Sequence, residues 1–295
     1  MQVIDALAQR LRDEVNPDRG WGYTPGCRSR IEPTAWGILA LGGTSESPGD
    51  WPRAPHVAFL RSAQTAGSLL ADTASSPNFA FSALAAIAAL DAGASPADPW
   101  LRRLLQGLIS GYGVALPESR DFGQTNALRA WPWVSGTFSW VEPTAWCLLA
   151  LKRARKTLRE PRIDARIREA ESLLIDRACA GGGWNYGNPA VLGQALEPYV
   201  PTTAIALLAL QDRRDDPAVE RSVRFLDTHA RREQSGMALA LSALALGRYG
   251  RPVALVQQDL AARFEHTRFL ENLHVMAMAL YALGRGQHTS GAFDV

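Results

Sequence analysis

Long uninterrupted apolar runs are missing from this 295-residue chain. No stretch approaches the roughly 20 residues, free of charge and turn signals, that a membrane-crossing helix needs. An excess of one charge is missing too. Lys plus Arg number 31 against 29 Asp plus Glu, and no window joins a basic block to interleaved aromatics, so the electrostatic footprint of a nucleic-acid-binding protein is absent. The most basic run, 151–160, reads as a solvated helix end favoured by the helix dipole. Cysteine is scarce. Cys27, Cys147 and Cys179 are odd in number and far apart, which argues against a disulfide framework and against closely spaced metal thiolates. The first residues carry charge from Asp5 onward and lack the apolar core of a secretory signal; the expected location is cytoplasmic. No Gly-x-Ser-x-Gly elbow occurs, and GGGW at 181–184 has neither a strand before it nor the Lys-Ser/Thr of a phosphate loop after it.

What is present is helix. Runs rich in Ala and Leu fall at 34–42, 79–90, 144–153, 202–211, 236–247 and 273–284. They have few β-branched residues and no internal proline, a composition that favours helix over strand. Between them lie amphipathic runs at 2–15, 54–70, 98–110, 163–179, 217–230 and 252–264. The first kind is apolar around most of its circumference and must be covered on nearly all sides. Six polar-faced outer helices around six apolar inner ones give two concentric rings, an all-α toroid of about six hairpins spanning 1–285, followed by a polar tail at 286–295. An open solenoid is the rival geometry. It would leave a concave groove of exposed Leu and Ala, which a closed ring turns into a cavity.

One word is written twice: Glu-Pro-Thr-Ala-Trp stands at 32–36 and again at 142–146. Proline suits a first helical turn because its missing N–H has no partner to lose there, and Glu32 and Glu142 meet free N–H groups and the positive end of the helix, which lowers a carboxyl pKa. The same slot reads PTTAIALLAL at 201–210, without the Glu and Trp. That variation favours a helix-start signal over an active site used twice. Nine Trp are present, and Trp21, Trp131, Trp133, Trp140 and Trp184 lie in connecting segments, where large rings can line one mouth of a cavity.

The strings DRGWGY (18–23), GTFSWVEPTAWCLLAL (136–151) and GGGWNYG (181–187) followed by YVPTTAIALLAL (199–210) resemble the glycine-aromatic turn and inner helix of the terpenoid-cyclase and protein-prenyltransferase β-subunit superfamily. The resemblance covers most of the chain and implies an α/α toroid holding an isoprenoid. It departs from the family where the chemistry sits. The Asp-x-Asp-Asp acid of squalene-hopene-type cyclases has no counterpart beyond DRRDD at 212–216, a surface loop, and Thr202 and Thr203 stand where prenyltransferases have acidic and thiolate zinc ligands. No cofactor is expected, neither zinc nor magnesium.

The residues therefore leave three functions open. In the first, a central apolar cavity binds an isoprenoid or another long apolar molecule, with Trp36, Trp140, Trp146 and Trp184 at the pocket or its mouth and Glu142, Glu32 and His274 as candidate catalytic groups. Glu271 could orient His274 from a similar helical face, and Arg28, Arg30 or Arg129 could meet a diphosphate. In the second, the toroid is non-catalytic and binds a lipid or a protein partner. In the third, it is a carbohydrate-active enzyme in which Glu32 and Glu142, joined by Asp121 and Glu197, supply paired carboxylates and Trp133 and Trp140 stack on sugar. His56 and His229, on outer helices, are expected to face solvent.

Overall fold

The computed structural model describes residues 2–42, 51–119, 121–285 and 291–295. Among them, outer helices α1 (Gln2–Asp13), α3 (Ala54–Ser62), α5 (Pro99–Ser110), α7 (Ile163–Asp176), α9 (Pro217–His229) and α11 (Ala254–Thr267) alternate with inner helices α2 (Ile31–Leu41), α4 (Phe79–Asp91), α6 (Val141–Arg155), α8 (Val200–Ala209), α10 (Gly236–Arg248) and α12 (Leu273–Arg285). Each inner helix packs on the next, and α12 packs on α2, so the ring is closed. The outer helices lie against the inner ring from outside. One short antiparallel pair, β1 (Ala190–Val191) and β2 (Gln194–Ala195), decorates the loop before α8.

Composition explains which ring each helix joins. In α4 and α10 nearly every side chain is buried, whereas α1 and α5 bury one stripe and leave the other face to water. Outer helices α5 and α9 start on Asp98 and Asp216, each accepting a first-turn N–H and followed by proline. Inner helices α2, α6 and α8 have no side-chain cap of this kind.

A tryptophan staple starts those three instead. The backbone N–H groups of Trp21, Trp131 and Trp184 donate to the hydroxyls of Thr34, Thr144 and Thr203 at 2.9, 3.2 and 2.9 Å. Their indole N–H groups donate to Leu11, Leu108 and Leu174 carbonyls in the preceding outer helices at 2.8, 2.8 and 2.6 Å. Each Trp thus ties the end of an outer helix to the start of an inner one, and Leu70 repeats the backbone half of the device on Ser82 at 2.9 Å. Trp21 lies against Gly37, where a Cβ would come within 2.8 Å of the ring. Trp184, read from sequence as a pocket residue, is fully buried in this staple. Thr203 is occupied by the same bond.

Three sequence expectations are corrected. The helix expected over 54–70 stops at Ser62, because Gln64 bridges back to Leu70 and Ser68 takes a positive φ that no α-helix accommodates. His56 does not face solvent: it is buried, stacked between Trp21 and Trp51, with Nδ1 2.6 Å from the Arg19 carbonyl. In the segment read as a polar tail, 286–290 with His288 lie outside the described residues, but Ala292 and Phe293 are fully buried. The Phe293 ring enters the helical ring and contacts Trp36, Trp146 and Tyr281 at centroid distances of 5.4, 5.9 and 5.3 Å.

Candidate active site

The inner helices begin at one mouth of the ring, and their second residues are Glu32, Ala80, Glu142, Pro201, Met237 and His274. Three of the six are ionisable. The ring wall below them is closed by Leu, Ala and aromatics, yet Glu32, Glu142, Pro201 and Met237 remain partly accessible while their neighbours in sequence are mostly buried. At four of the six starts this position is thus more accessible than the helix that follows it.

The duplicated word places two of the three. Glu and Trp four residues apart share a helical face, and Trp36 and Trp146 meet edge to face at 6.1 Å. Glu32 and Glu142 accordingly stand one turn nearer the mouth, above the indole pair. The third group comes from the helix that closes the ring on α2: His274 Nε2 lies 3.7 Å from Glu32 Oε1. That is beyond hydrogen-bond reach, and among the described residues Nε2 is a buried nitrogen without a partner.

Two groups absent from the sequence reading complete the cluster. Tyr23 donates its hydroxyl to Glu32 Oε2 at 2.5 Å and packs edge-on against His274 at 5.7 Å. Asp72 accepts the Ile31 N–H at 3.0 Å, at the start of α2. The Leu273 N–H bonds to the Tyr23 carbonyl at 2.7 Å, so the turn carrying Tyr23 also anchors the start of α12.

The electrostatics of this cluster overturn one expectation. A helix start lowers a carboxyl pKa, but Glu142 is pushed up to about 7, first by burial and then by the charge of Glu32, against a lowering hydrogen bond from the Trp146 indole N–H. Desolvation outweighs the dipole here. Burial also holds His274 below the ordinary histidine range, opposed by Glu32. Tyr23 is raised by burial and by Glu32, and Asp72 by burial. Near neutral pH the mouth therefore holds a Glu142 carboxyl that is part protonated and a His274 that is neutral.

The other sequence candidates do not join the cluster. Glu271 pairs with Arg10 at 3.0 Å and does not orient His274. Asp121 and Glu197 are exposed, Asp121 accepting from Ser119 at 3.1 Å. Arg28 is exposed, Arg30 faces Asp72 at 3.9 Å, and Arg129 is held by the Gly113 carbonyl at 2.9 Å over Tyr112. These arginines form no diphosphate clamp. Trp140, the residue before α6, is partly exposed at the rim and packs on Phe138 at 4.4 Å. Next to it, the Tyr186 carbonyl accepts the Val141 N–H at 3.0 Å. Tyr186 and Tyr199, 4.9 Å apart and both exposed, open a groove of about 350 Å³ floored by Phe225 and flanked by His229, Arg232 and Glu233. His229 thus lines a groove, its Nδ1 2.8 Å from the Phe225 carbonyl.

No family model and no curated protein matches the chain. Solved structures do. A protein from Actinoplanes superposes with a TM-score of 0.61 at 16% identity, covering 98% of this chain and 99% of its own. A GH76 α-mannanase from Bacteroides thetaiotaomicron gives 0.63 at 11%, covering 97% and 94%. A type II terpene cyclase from Scytonema gives 0.58 at 14%, covering 97% and 96%. Identities this low show the fold alone: a six-hairpin α/α toroid that serves unrelated enzyme families.

Proposed function

We propose that this protein is an acid–base enzyme working at the mouth of the ring, with Glu142 as the acid, Glu32 as the partner carboxylate and a carbohydrate as substrate. The observation that carries the reading is the placement of Glu32 and Glu142 at equivalent first-turn positions of α2 and α6, above an indole pair that meets at 6.1 Å, with the Glu142 carboxyl raised by burial and by Glu32. A protonated acid beside a carboxylate is the pairing that glycoside cleavage requires. Glu142 would pass its proton to the glycosidic oxygen as the C–O bond breaks. Glu32, held by Tyr23, would face the positive charge that develops on the sugar carbon and act as base or nucleophile there. Trp140, Tyr186 and Tyr199 would stack on neighbouring rings.

The packing disfavours an isoprenoid inside the ring. Trp36 and Trp146 are 1% and 4% exposed and Phe293 and Tyr281 0% and 1%, so among the described residues the aromatic centre of the ring is closely packed. One observation keeps isoprenoid cyclisation as a second reading: two indoles lie directly below the acid, and indole is the strongest cation–π partner for a carbocation. A non-catalytic toroid is the third. Incubation with a panel of oligosaccharides and aryl glycosides, and in parallel with geranylgeranyl diphosphate, farnesyl diphosphate and squalene, separates the three. The expected result is glycoside cleavage that falls by about 10² or more in Glu142→Gln. Turnover of the isoprenoids alone would replace the first reading with the second, and turnover of neither would leave the third.

A further inference from the structure

Residues 291–295, Gly-Ala-Phe-Asp-Val, sit on the opposite face of the ring, where the inner helices end. No backbone-to-backbone bond joins them to the ring among the described residues. Their own backbone closes a turn, Asp294 N–H to the Gly291 carbonyl at 3.2 Å, with the Gly291 N–H on Asp294 Oδ2 at 2.5 Å. Among the described residues, side chains of the ring hold this turn. Arg153, near the end of α6, donates to the Gly291 carbonyl at 2.8 Å. Tyr281 of α12 accepts the Ala292 N–H at 2.9 Å. Gln211, just past α8, donates to the Phe293 carbonyl at 2.6 Å. Arg248, the last residue of α10, pairs with the Asp294 carboxylate. The Phe293 ring drops into the box of Trp36, Trp146 and Tyr281.

Backbone carbonyls, a backbone N–H, one aromatic ring and one carboxylate are all read by side chains of the ring, which is how a protein recognises a peptide of defined sequence. We propose that this face of the toroid is a peptide-binding site for a small–aromatic–acidic sequence, and that residues 291–295 occupy it in cis. The aromatic box supplies depth and selects the ring, Arg248 selects the acidic residue that follows it, and Arg153, Gln211 and Tyr281 read the main chain without regard to side chain. A peptide of the same pattern on another chain meets the same contacts once the cis segment is weakened. The box shares Trp36 and Trp146 with the floor beneath the carboxylates at the other mouth, but the test reads peptide binding and measures no activity.

The experiment uses the full chain carrying Phe293→Ala and Asp294→Ala together, which removes both side chains by which the cis segment is read, alongside the unaltered protein. The probe is acetyl-Gly-Ala-Phe-Asp-Val-amide, followed by tryptophan emission, because Trp36 and Trp146 form the box. The double variant should show red-shifted emission relative to the unaltered protein, and the peptide should return it saturably to the blue. Peptides with Ala in place of the Phe, or Asn in place of the Asp, should bind at least tenfold more weakly. The unaltered protein should not respond. Absence of saturable binding to a double variant that keeps its helical circular dichroism overturns the proposal, as does equal binding to both proteins. If the double variant loses its helices, Phe293→Ala alone is the reading arm, with the same two outcomes.

Discussion

Glu32 and Glu142 face the same opening because each stands four residues before one of two tryptophans whose rings meet at 6.1 Å. The duplicated pentapeptide thus does two jobs. Its threonine is pinned to the staple at the helix start, and its Glu and Trp converge near the middle of the ring. Removing the charge of one glutamate should therefore be felt at the other. In Glu32→Gln the neighbouring charge that raises Glu142 is gone, so the Glu142 pKa should fall. Carbon-13 NMR titration of labelled glutamate measures this without reference to turnover; an unmoved Glu142 would mean that burial alone sets it.

Stability should depend on pH through the same carboxyl. The folded pKa of Glu142, about 7, lies above the ordinary 4.5, so the folded state binds more protons than the unfolded one between these values. The contribution is fully present below 4.5 and is lost as pH rises through 7. At about 1.4 kcal/mol per pKa unit, the loss has a ceiling of roughly 3 kcal/mol, reduced because the side chain is only partly buried. Urea midpoints of Glu142→Gln should accordingly gain on the unaltered protein between pH 5 and pH 8.

His274 should act in the opposite sense. Its folded pKa is depressed below 6.5 by burial, so its contribution is present above 6.5 and lost as pH falls through the folded value. His274→Gln should flatten that acid-side decline in urea midpoint while leaving stability at pH 8 nearly unchanged. If protonation instead strengthened the pairing with Glu32, the unaltered protein would gain stability on acidification through this range.

The outline of the fold was legible in the sequence because it rests on local composition. Each Ala/Leu run without proline had to be a covered helix, and covering six of them leaves little besides a ring. The helix starts were legible for the same reason, although the repeated word could not say that Thr34 and Thr144 bond the staple while Glu32 and Glu142 line the mouth. His274 was legible by residue type, but its approach to Glu32 depends on α12 closing against α2, a contact between positions 242 residues apart. Tyr23 had a signal, the aromatic of DRGWGY nine residues before Glu32. Phe293 had almost none, since one aromatic in a polar segment reads as exposed until its box exists.

The staple should be measurable one hydroxyl at a time. Thr144→Val keeps the shape of the side chain and removes the acceptor of the Trp131 N–H, a buried bond of 3.2 Å. A buried donor left without a partner costs about 1–3 kcal/mol, and Thr34→Val and Thr203→Val should cost similar amounts through Trp21 and Trp184. Thermal denaturation of the three variants checks this. A loss confined to one of them would mean that the shared geometry is not a shared source of stability.

The far end of α6 supplies a larger and separate effect. Lys152 is fully buried, donating to the Ala209 carbonyl at 2.9 Å and pairing with Glu171 at 2.7 Å and with Asp212. Glu171 is also held by Arg213 at 2.9 Å. Lys152→Met removes the cation and leaves a mostly buried carboxylate with one exposed partner, so the loss should approach the about 3–5 kcal/mol of a broken buried pair. Replacing Glu171 by Leu as well removes the stranded charge, and the double variant should recover part of that loss. Urea unfolding of the two single variants and the double gives the coupling energy directly. A double variant no more stable than Lys152→Met would show that packing around the methylenes of Lys152, and not the charge left on Glu171, accounts for the cost.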